Sequence, residues 1–303
     1  MLQGEMSLNN SFNKNLLMSL RLKFIYLLLF SCLLLTAQTR RALVIGLGQQ
    51  EDRSWQKING DKDVPLIIDM LKNAGYHQKD IISLVNEQAT KQGIVMAFKK
   101  LTNLCKQNDI VYIHFSGHGQ RVTDVDGDET NGWDESWIPY DAYRKYGNMD
   151  KGEKHLIDDE IYTFLMDIKQ RIGNGGKILV VVDACHGGGS TFGIESFCYG
   201  LELTTRGGVE SFIIPILGKR VSNVPKSPER WLTLSACKSF QLNQELSNPR
   251  AGILSYALYS ISQKGSIKME LIEDFIRNNK GPLEQTPILT GETNKYKISD
   301  ILK

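Results

Sequence analysis

The fold is decided by two apolar runs that each lead straight into a reactive side chain: Ile110-Val-Tyr-Ile-His-Phe-Ser-Gly-His118 and Ile178-Leu-Val-Val-Val-Asp-Ala-Cys185. Continuous apolar runs of this length are typical of parallel strands that are buried on both faces. In an open parallel sheet, ligands bind outside the carboxyl ends of the strands. Two adjacent strands of this kind would aim an imidazole and a thiol at one crevice.

The chemistry of these two side chains is complementary. A thiol is a weak nucleophile until a base helps to ionise it, and an imidazole does so. We therefore predict Cys185 as nucleophile and His118 as base, with the backbone N–H groups of Gly119 and Cys185 facing the oxyanion. His186 is the rival base, but it adjoins the cysteine and its side chain should diverge. The alternatives are a glycine turn that happens to hold a histidine and a small buried cysteine.

Strands and helices alternate along the rest of the chain. Further strands are predicted over 41–46, 80–85, 231–235 and 286–290, and helices over 61–74, 90–105, 158–172, 252–262 and 269–278. A long loop is predicted from the third strand to about Lys154, and Asp158 and Asp159 are N-cap candidates for the helix that follows. The alternation predicts an α/β fold with a mostly parallel sheet covered by helices on both faces.

Composition excludes several classes of protein. The chain has 303 residues, 41% of them apolar and 23% charged, with a net charge of +2, so it is globular and has no basic run for nucleic acid. Its five cysteines form no CxxC pair, which argues against a disulfide framework or a zinc site. Cys105 lies on the apolar face of a predicted helix and is interpreted as a core residue.

The N-terminus has the pattern of an export signal. A polar extension precedes Met18, a basic stretch follows it, and 24–35 is an apolar run with small residues after it, near Ala37. We predict a signal peptide over 18–38, export to the periplasm or beyond, and no membrane span after cleavage. An uncleaved anchor is the alternative. A lipid-attachment pattern at Cys32 is weak, because apolar residues follow that cysteine.

Several further segments, in order, resemble motifs of the caspase/metacaspase superfamily of cysteine peptidases. Beside His114-Phe-Ser-Gly-His118-Gly119 and Asp183-Ala-Cys185-His186-Gly-Gly, they are Ile58-Asn-Gly-Asp61-Lys-Asp63, Asp126-Gly-Asp128-Glu129, Trp133-Asp134-Glu135, Leu156-Ile-Asp158-Asp159-Glu160, Leu234-Ser-Ala-Cys237-Lys238 and Gln285-Thr-Pro287. The chain is nearer to metacaspases and bacterial orthocaspases than to animal caspases.

The resemblance implies a fold, an architecture and a dyad. It implies a caspase-like α/β/α sandwich with a six-stranded, mostly parallel sheet, and His118 and Cys185 as base and nucleophile. The peptidase domain would span 39–303 after an N-terminal segment of 1–38. It would comprise a large-subunit region (39–190), a connector (186–230) and a small-subunit region (231–303), and we expect a monomer.

Specificity follows from the residue two positions before the nucleophile. The animal-caspase signature has Gln there, whereas this chain has Asp183. An acid beside the nucleophile would attract Arg or Lys, and Asp63 and Ser116 match a second pocket acid and a pocket-wall residue of metacaspases. A carboxylate–guanidinium pair favours Arg geometrically. Alternatively, Asp183 only holds the following turn and Asp63 only supports the first helix.

Calcium is a further expectation of the resemblance. Many metacaspases bind it through acids that match Asp134, Asp158 and Asp159. A further acidic ligand is expected seven residues after the nucleophile, where this chain has Phe192. The metal site is therefore incomplete by the family pattern, and a solvated acidic loop with two helix-capping aspartates is the alternative. No redox or nucleotide cofactor is needed for the predicted reaction.

The connector is a candidate for self-cleavage. It contains Arg206, Lys219, Arg220, Lys226 and Arg230, and Lys219-Arg220 is the first choice. The predicted function is thus an endopeptidase that acts on proteins or peptides after Arg or Lys. The rival functions are a catalytically silent caspase-like scaffold that binds peptides, and a flavodoxin-like ligand-binding or acyl-transfer domain. By analogy Cys237 lies near the pocket, and it is interpreted as a packing residue.

Overall fold

A computed structural model describes residues 38–185, 204–207, 210–215 and 228–302, together with Met18, Arg21 and Lys23. Thr39–Lys303 forms one compact unit. The predicted signal peptide, Phe192 and the Lys219-Arg220 pair lie outside the described residues, apart from the three N-terminal positions named above. Among the helices described, none is both long and apolar enough to cross a bilayer.

Eleven strands and five α-helices are described within this unit. The strands are β1 (Arg40–Gly46), β2 (Ile81–Val85), β3 (Ile110–Ser116), β4 (Gly119–Thr123), β5 (Trp133–Trp137), β6 (Leu156–Ile157), β7 (Lys177–Asp183), β8 (Leu232–Ser235), β9 (Glu245–Ser247), β10 (Arg250–Gly252) and β11 (Ile288–Gly291). The helices are α1 (Gly60–Asn73), α2 (Lys91–Leu104), α3 (Asp158–Ile172), α4 (Ile253–Ser262) and α5 (Met269–Asn279).

The central sheet has six strands in the order β11-β8-β7-β3-β1-β2. Every neighbouring pair is parallel except β11 with β8. The predicted fold, a six-stranded and mostly parallel sheet, is therefore confirmed. The register places Ser116 at the end of β3 opposite Asp183 at the end of β7, so these two central strands finish level with one another.

Two apolar cores lie on the two faces of this sheet. Successive residues of β1 alternate between them: Ala42 and Val44 pack with α1, α4 and α5, while Leu43 and Ile45 pack with α2 and α3. Burying one such aliphatic side chain contributes roughly 1.5–3 kcal/mol. The two cores and the sheet form an α/β/α sandwich, and the carboxyl ends of β3 and β7 lie at one edge of it. The packed strands therefore fix the position of the side chains that follow them.

The region between β3 and α3 departs from the predicted long loop. It holds β4, β5 and β6, which form a separate three-stranded antiparallel sheet. These strands are short and carry polar residues, so neither an apolar run nor a clear alternation marks them in the sequence. Helix α3 begins at Asp158, and its N-cap is Ile157. The prediction that Asp158 or Asp159 is the N-cap was therefore wrong, because both aspartates lie inside the first turn.

Candidate active site

His118 and Cys185 lie at the same edge of the sheet. Each stands two residues beyond the paired ends of β3 and β7, Ser116 and Asp183. Both side chains are buried in the folded chain. The structure thus brings the predicted dyad to the carboxyl ends of two adjacent strands, with two of the predicted pocket residues directly beneath it.

The His118 ring is held in one orientation. It stacks on Trp55 with ring centroids 4.9 Å apart, and its Nε2 lies 2.7 Å from the Gln56 carbonyl oxygen. A carbonyl only accepts, so Nε2 carries the proton and Nδ1 is left as an acceptor. Nδ1 has no hydrogen-bond partner among the described residues. Burial lowers the pKa of His118 to about 4, although the hydrogen bond to the Gln56 carbonyl acts in the opposite direction and raises it. The ring is neutral at pH 7 and is able to accept a proton.

The Cys185 thiol is buried beside two backbone groups. Its Sγ donates to the Gln241 carbonyl oxygen at 3.1 Å. Its backbone N–H donates to the carbonyl oxygen of Arg206 at 2.7 Å. A Cβ built on Gly207 would come within 3.0 Å of the thiol sulfur, so the chain after Arg206 runs directly over the nucleophile.

An acidic pocket lies below the dyad. Its walls are Asp63 from α1, Ser116 from β3, Asp183 from β7 and Glu245 from β9, and the first three are fully buried. Asn243 donates to Asp183 Oδ1 at 2.6 Å, and the Ser255 hydroxyl donates to Oδ2 at 2.6 Å. The three residues predicted as substrate-binding are therefore together in one pocket.

Arg206 fills this pocket with its guanidinium. Nη2 donates to Asp63 Oδ2 at 2.8 Å and Nε donates to Glu245 Oε1 at 2.9 Å, while Nη2 also lies 2.8 Å from Glu245 Oε1 in an ion pair. Nη1 donates to the Ser116 hydroxyl at 2.5 Å and to the Asp183 carbonyl at 3.2 Å. The Arg206 side chain is completely buried. Four hydrogen bonds and a further ion-pair contact therefore hold a single, fully buried guanidinium.

The backbone on either side of Arg206 is held as an added strand. The N–H of Arg206 donates to the Asn243 carbonyl at 2.9 Å, and the N–H of Glu245 donates to the Thr204 carbonyl at 3.2 Å. Thr205 and Gln244 form an antiparallel bridge, and Gly207 bridges Gly119. The segment 204–207 thus crosses the site in the manner of a peptide bound by strand addition.

The charges in the pocket offset one another only in part. Burial raises the pKa of Asp63 to about 6, although the Arg206 guanidinium lowers it. The pKa of Asp183 is lowered: burial opposes this, but Arg206, Ser255 and Asn243 together outweigh it. Three carboxylates around one guanidinium leave an excess of negative charge in the pocket.

A family model for the metacaspase, peptidase C14 domain matches residues 40–191, half of the chain. The chain belongs to this family. The predicted membership of the caspase/metacaspase superfamily is thereby confirmed, and with it the prediction of a cysteine peptidase domain.

Curated relatives share the metacaspase name. Metacaspase-1 of Botryotinia fuckeliana is 32% identical over 157 residues, which are 49% of this chain and 34% of that protein. Metacaspase-1B of Aspergillus fumigatus is also 32% identical over 157 residues, or 35% of its length. This metacaspase-family chain therefore matches about a third of the length of these relatives.

Two solved structures share the fold. Protein GSU0716 from Geobacter sulfurreducens has a TM-score of 0.59 at 21% identity, covering 88% of this chain and 97% of that one. Caspase-1 from Spodoptera frugiperda has a TM-score of 0.54 at 12% identity, covering 84% and 89%. At these identities the comparison supports the caspase-like sandwich alone.

The acids predicted to bind calcium are only partly gathered. Carboxylate oxygens of Asp128, Asp134 and Asp159 lie within 4.8 Å of one another. Asp158 is nearby, and its carboxylate accepts from the Glu135 N–H at 3.2 Å. Asp134 is buried, its Oδ1 has no hydrogen-bond partner among the described residues, and its pKa is raised to about 8 by burial and then by Asp158 and other acids. The oxygen cluster thus includes Asp128, which the sequence analysis names in a family-like segment but not among the expected calcium ligands.

Sequence reasoning also missed residues that complete the pocket. Glu245 carries no motif of its own, and it reaches the site only because the β9–β10 hairpin folds back over β7 and α1. Ser255, at the start of α4, bonds both Asp183 and His114. No local pattern marks these positions, because each contributes through a contact that is distant along the chain.

Proposed function

We propose that this chain is a cysteine endopeptidase that cleaves after arginine, with Cys185 as nucleophile and His118 as base. The observation that carries the proposal is the position of Arg206. Its side chain fills the acidic pocket while its carbonyl oxygen accepts from the Cys185 N–H. A peptide arginine bound in the same way would present its carbonyl carbon to the thiol.

The reaction follows from these positions. The Cys185 thiol gives its proton to His118 and attacks the carbonyl carbon of the bound arginine. Negative charge develops on the carbonyl oxygen, where the Cys185 N–H stabilises it by ~3 kcal/mol per donor. His118 then protonates the leaving amine. In the second half, His118 takes a proton from water, and the resulting attack hydrolyses the thioester and frees the thiol.

The pocket favours arginine over lysine. The guanidinium has five donors in a planar fork, and here all three of its nitrogens donate to acceptors on Asp63, Ser116, Asp183 and Glu245. A lysine ammonium has three donors on one nitrogen, so it would leave at least one buried carboxylate without a partner. Such a loss costs ~1–3 kcal/mol.

Arg206 also designates a cleavage site in the chain itself. We propose self-cleavage between Arg206 and Gly207 in place of Lys219-Arg220, the first choice from the sequence. The Arg206 carbonyl lies on the Cys185 N–H, and Gly207 lies against the Cys185 side chain. Until that bond is cut or the segment departs, Arg206 competes with any external substrate for the pocket.

The test uses fluorogenic peptides that end in Arg, Lys or Asp, together with intact mass spectrometry of the full chain. We expect Arg turnover at least about tenfold above Lys, none after Asp, and none with Cys185→Ala. A cut after Arg206 should appear in the wild type and be lost in Arg206→Gln.

The outcomes are separable. No turnover of any peptide, with and without calcium, would favour the silent peptide-binding scaffold. Turnover of Arg peptides with the chain intact at Arg206 would overturn self-cleavage at this bond alone. Equal turnover after Asp would overturn the acidic-pocket argument while leaving the dyad.

We also propose that the acid cluster binds calcium. Hard cations take oxygen ligands, mostly carboxylates, and Asp128, Asp134 and Asp159 supply three in one place. The unpartnered buried oxygen of Asp134 and its raised pKa both fit a group that a cation would stabilise. When bound, calcium would neutralise this acidic corner of the β4–β6 sheet. Asp128 would supply an acidic ligand in place of the one that the family pattern expects at the position of Phe192.

A further inference from the structure

A second thiol lies beside the proposed nucleophile. Cys237 follows β8, the strand that neighbours β7, and is buried. Its Sγ lies 3.5 Å from the Gln241 carbonyl oxygen, the same oxygen that accepts from Cys185 at 3.1 Å. The two sulfurs are therefore neighbours in the resting fold.

The strands fix this proximity. In the β7–β8 register, Val182 pairs with Ser235, and the N–H of Ala236 donates to the Val182 carbonyl at 3.0 Å. Cys185 and Cys237 thus follow adjacent strands within three residues of a paired position. Neighbouring strands lie ~4.8 Å apart, so residues that follow two adjacent strands begin close to one another.

The Gln241 carbonyl is anchored between the thiols. The Gln241 side-chain oxygen accepts from the N–H groups of Lys238 and Thr286, at 3.2 and 2.9 Å. These bonds tie the turn after Cys237 to the segment before β11. The turn therefore holds in place the carbonyl oxygen that both thiols approach.

We propose that Cys185 and Cys237 form a reversible disulfide when the protein meets a hydroperoxide. Cys185 attacks the peroxide as the thiolate, becomes a sulfenic acid and releases hydroxide or water. The Cys237 sulfur then attacks the sulfenic sulfur, its proton leaves with the hydroxyl as water, and the disulfide forms. The peroxide is reduced by two electrons, and both thiols are oxidised by one each.

The assignment of roles follows from the environment. The neighbouring Cys185 thiol, together with burial, raises the pKa of Cys237 well above its usual range. Cys237 therefore stays protonated. The first oxidation falls on Cys185, the thiol that His118 would deprotonate as the proposed base. The disulfide would occupy the sulfur needed for peptide cleavage and would shield it from irreversible oxidation.

The third described thiol offers a matched control. Cys105 is buried at the end of α2, in the core on one face of the sheet, and burial raises its pKa to about 12. It is not hydrogen-bonded to either of the other two. Cys105→Ser should therefore leave the cross-link unchanged, whereas Cys237→Ser and Cys237→Ala should abolish it.

The experiment treats the reduced full chain and its Arg206→Gln variant with hydrogen peroxide, alkylates free thiols, and maps the peptides by mass spectrometry. We expect a Cys185–Cys237 cross-link that dithiothreitol reverses. In Cys237→Ser, Cys185 should instead progress to sulfinic and sulfonic acid. Activity regained with dithiothreitol should then be at least about tenfold lower than in the wild type.

The activity readout rests on the proposed function, but the peptide map does not. A chain without peptidase activity can still show or lack the cross-link. Absence of the cross-link in both proteins, or pairing with Cys105, would overturn the proposal. Equal recovery of activity in the wild type and Cys237→Ser would overturn the protective role.

Discussion

At the scale of single residues, His118 combines a fixed tautomer with an unusually weak basicity. The Gln56 carbonyl takes Nε2, Trp55 covers the ring face, and burial lowers the pKa to about 4. An ordinary exposed histidine would be half protonated near pH 6.5. His118 therefore stays a free base across mildly acidic pH, while Asp63, whose pKa is about 6, gains its proton earlier.

This difference predicts a split pH profile for an Arg peptide. The kcat should hold down to about pH 5 and fall as the pH approaches 4, where His118 becomes protonated and can no longer act as base. KM should rise below about pH 6, because protonated Asp63 attracts the arginine less. Steady-state kinetics between pH 4 and 8 measure both limbs.

Asp63→Asn is the control for this profile. It should remove the KM limb, because the residue no longer titrates, and should leave the kcat limb in place. A kcat limb centred near pH 6.5 in the wild type would contradict the account of His118.

At the scale of secondary-structure elements, the β9–β10 hairpin closes the pocket. Glu245 at its start bonds Arg206 and, through both carboxylate oxygens, Asn59. The N–H of Gly252 at its end donates to Asp63 at 3.0 Å. A Cβ on Gly252 would come within 2.2 Å of Asp183 Oδ2, so only glycine fits there. The hairpin thus adds Glu245 to the carboxylates of the pocket and holds Asp63 in place.

Glu245→Gln should weaken the preference for arginine. The variant keeps the shape of the side chain but removes a charge that accepts one guanidinium hydrogen bond and forms an ion pair with a second nitrogen. A hydrogen bond to a charged group is worth ~1.5–3 kcal/mol. We expect kcat/KM for Arg peptides to fall about 10- to 100-fold, with a smaller loss for Lys peptides. Glu270→Gln, at an exposed position on α5, is the matched control and should change neither value. Equal losses for both peptides would contradict the role of Glu245 in discrimination.

At the scale of the whole molecule, the acid cluster couples stability to pH. The folded pKa of Asp134 is raised to about 8, above its ordinary 3.8, by burial and the acids around it. Between these values the folded chain holds a proton that the unfolded chain has released. This contribution to stability is therefore full below pH 3.8 and is lost as pH rises toward 8.

Calcium should reverse that loss. At a concentration 100 times its Kd, calcium would stabilise the fold by about 2.7 kcal/mol, which raises the Tm of a chain of this size by roughly 5 °C. The rise should be larger at pH 8 than at pH 5, because calcium displaces the Asp134 proton. Differential scanning fluorimetry with EDTA as reference measures it.

Asp134→Asn should flatten the pH dependence and remove the calcium response. Asp167→Asn, at an exposed position on α3, should preserve both. A wild-type Tm that calcium leaves unchanged at pH 8 would overturn the metal proposal without affecting the dyad.

The sequence predicts most of the central sheet because its strands are continuous apolar runs, which indicate strands buried on both faces. The same runs place His118 and Cys185, since side chains that follow parallel strands meet at one edge. The strands β4, β5 and β6 escape detection, because polar residues paired across an antiparallel sheet leave little trace in one segment. Arg206 could be named only as one basic residue among several, since its selection depends on strand pairing with 243–245.

If the proposed cleavage after arginine is correct, the strand-like hold on residues 204–206 would also limit which arginines in a target protein can be reached. Main-chain hydrogen bonds join Arg206 to Asn243 and Thr204 to Glu245, so a target bound in the same way would have to offer its arginine in an extended stretch. An arginine within a helix keeps its own main-chain groups engaged and first has to unwind. Cleavage would therefore depend on local unfolding of the target as well as on the charge of its arginine, and stably folded regions would be cleaved slowly.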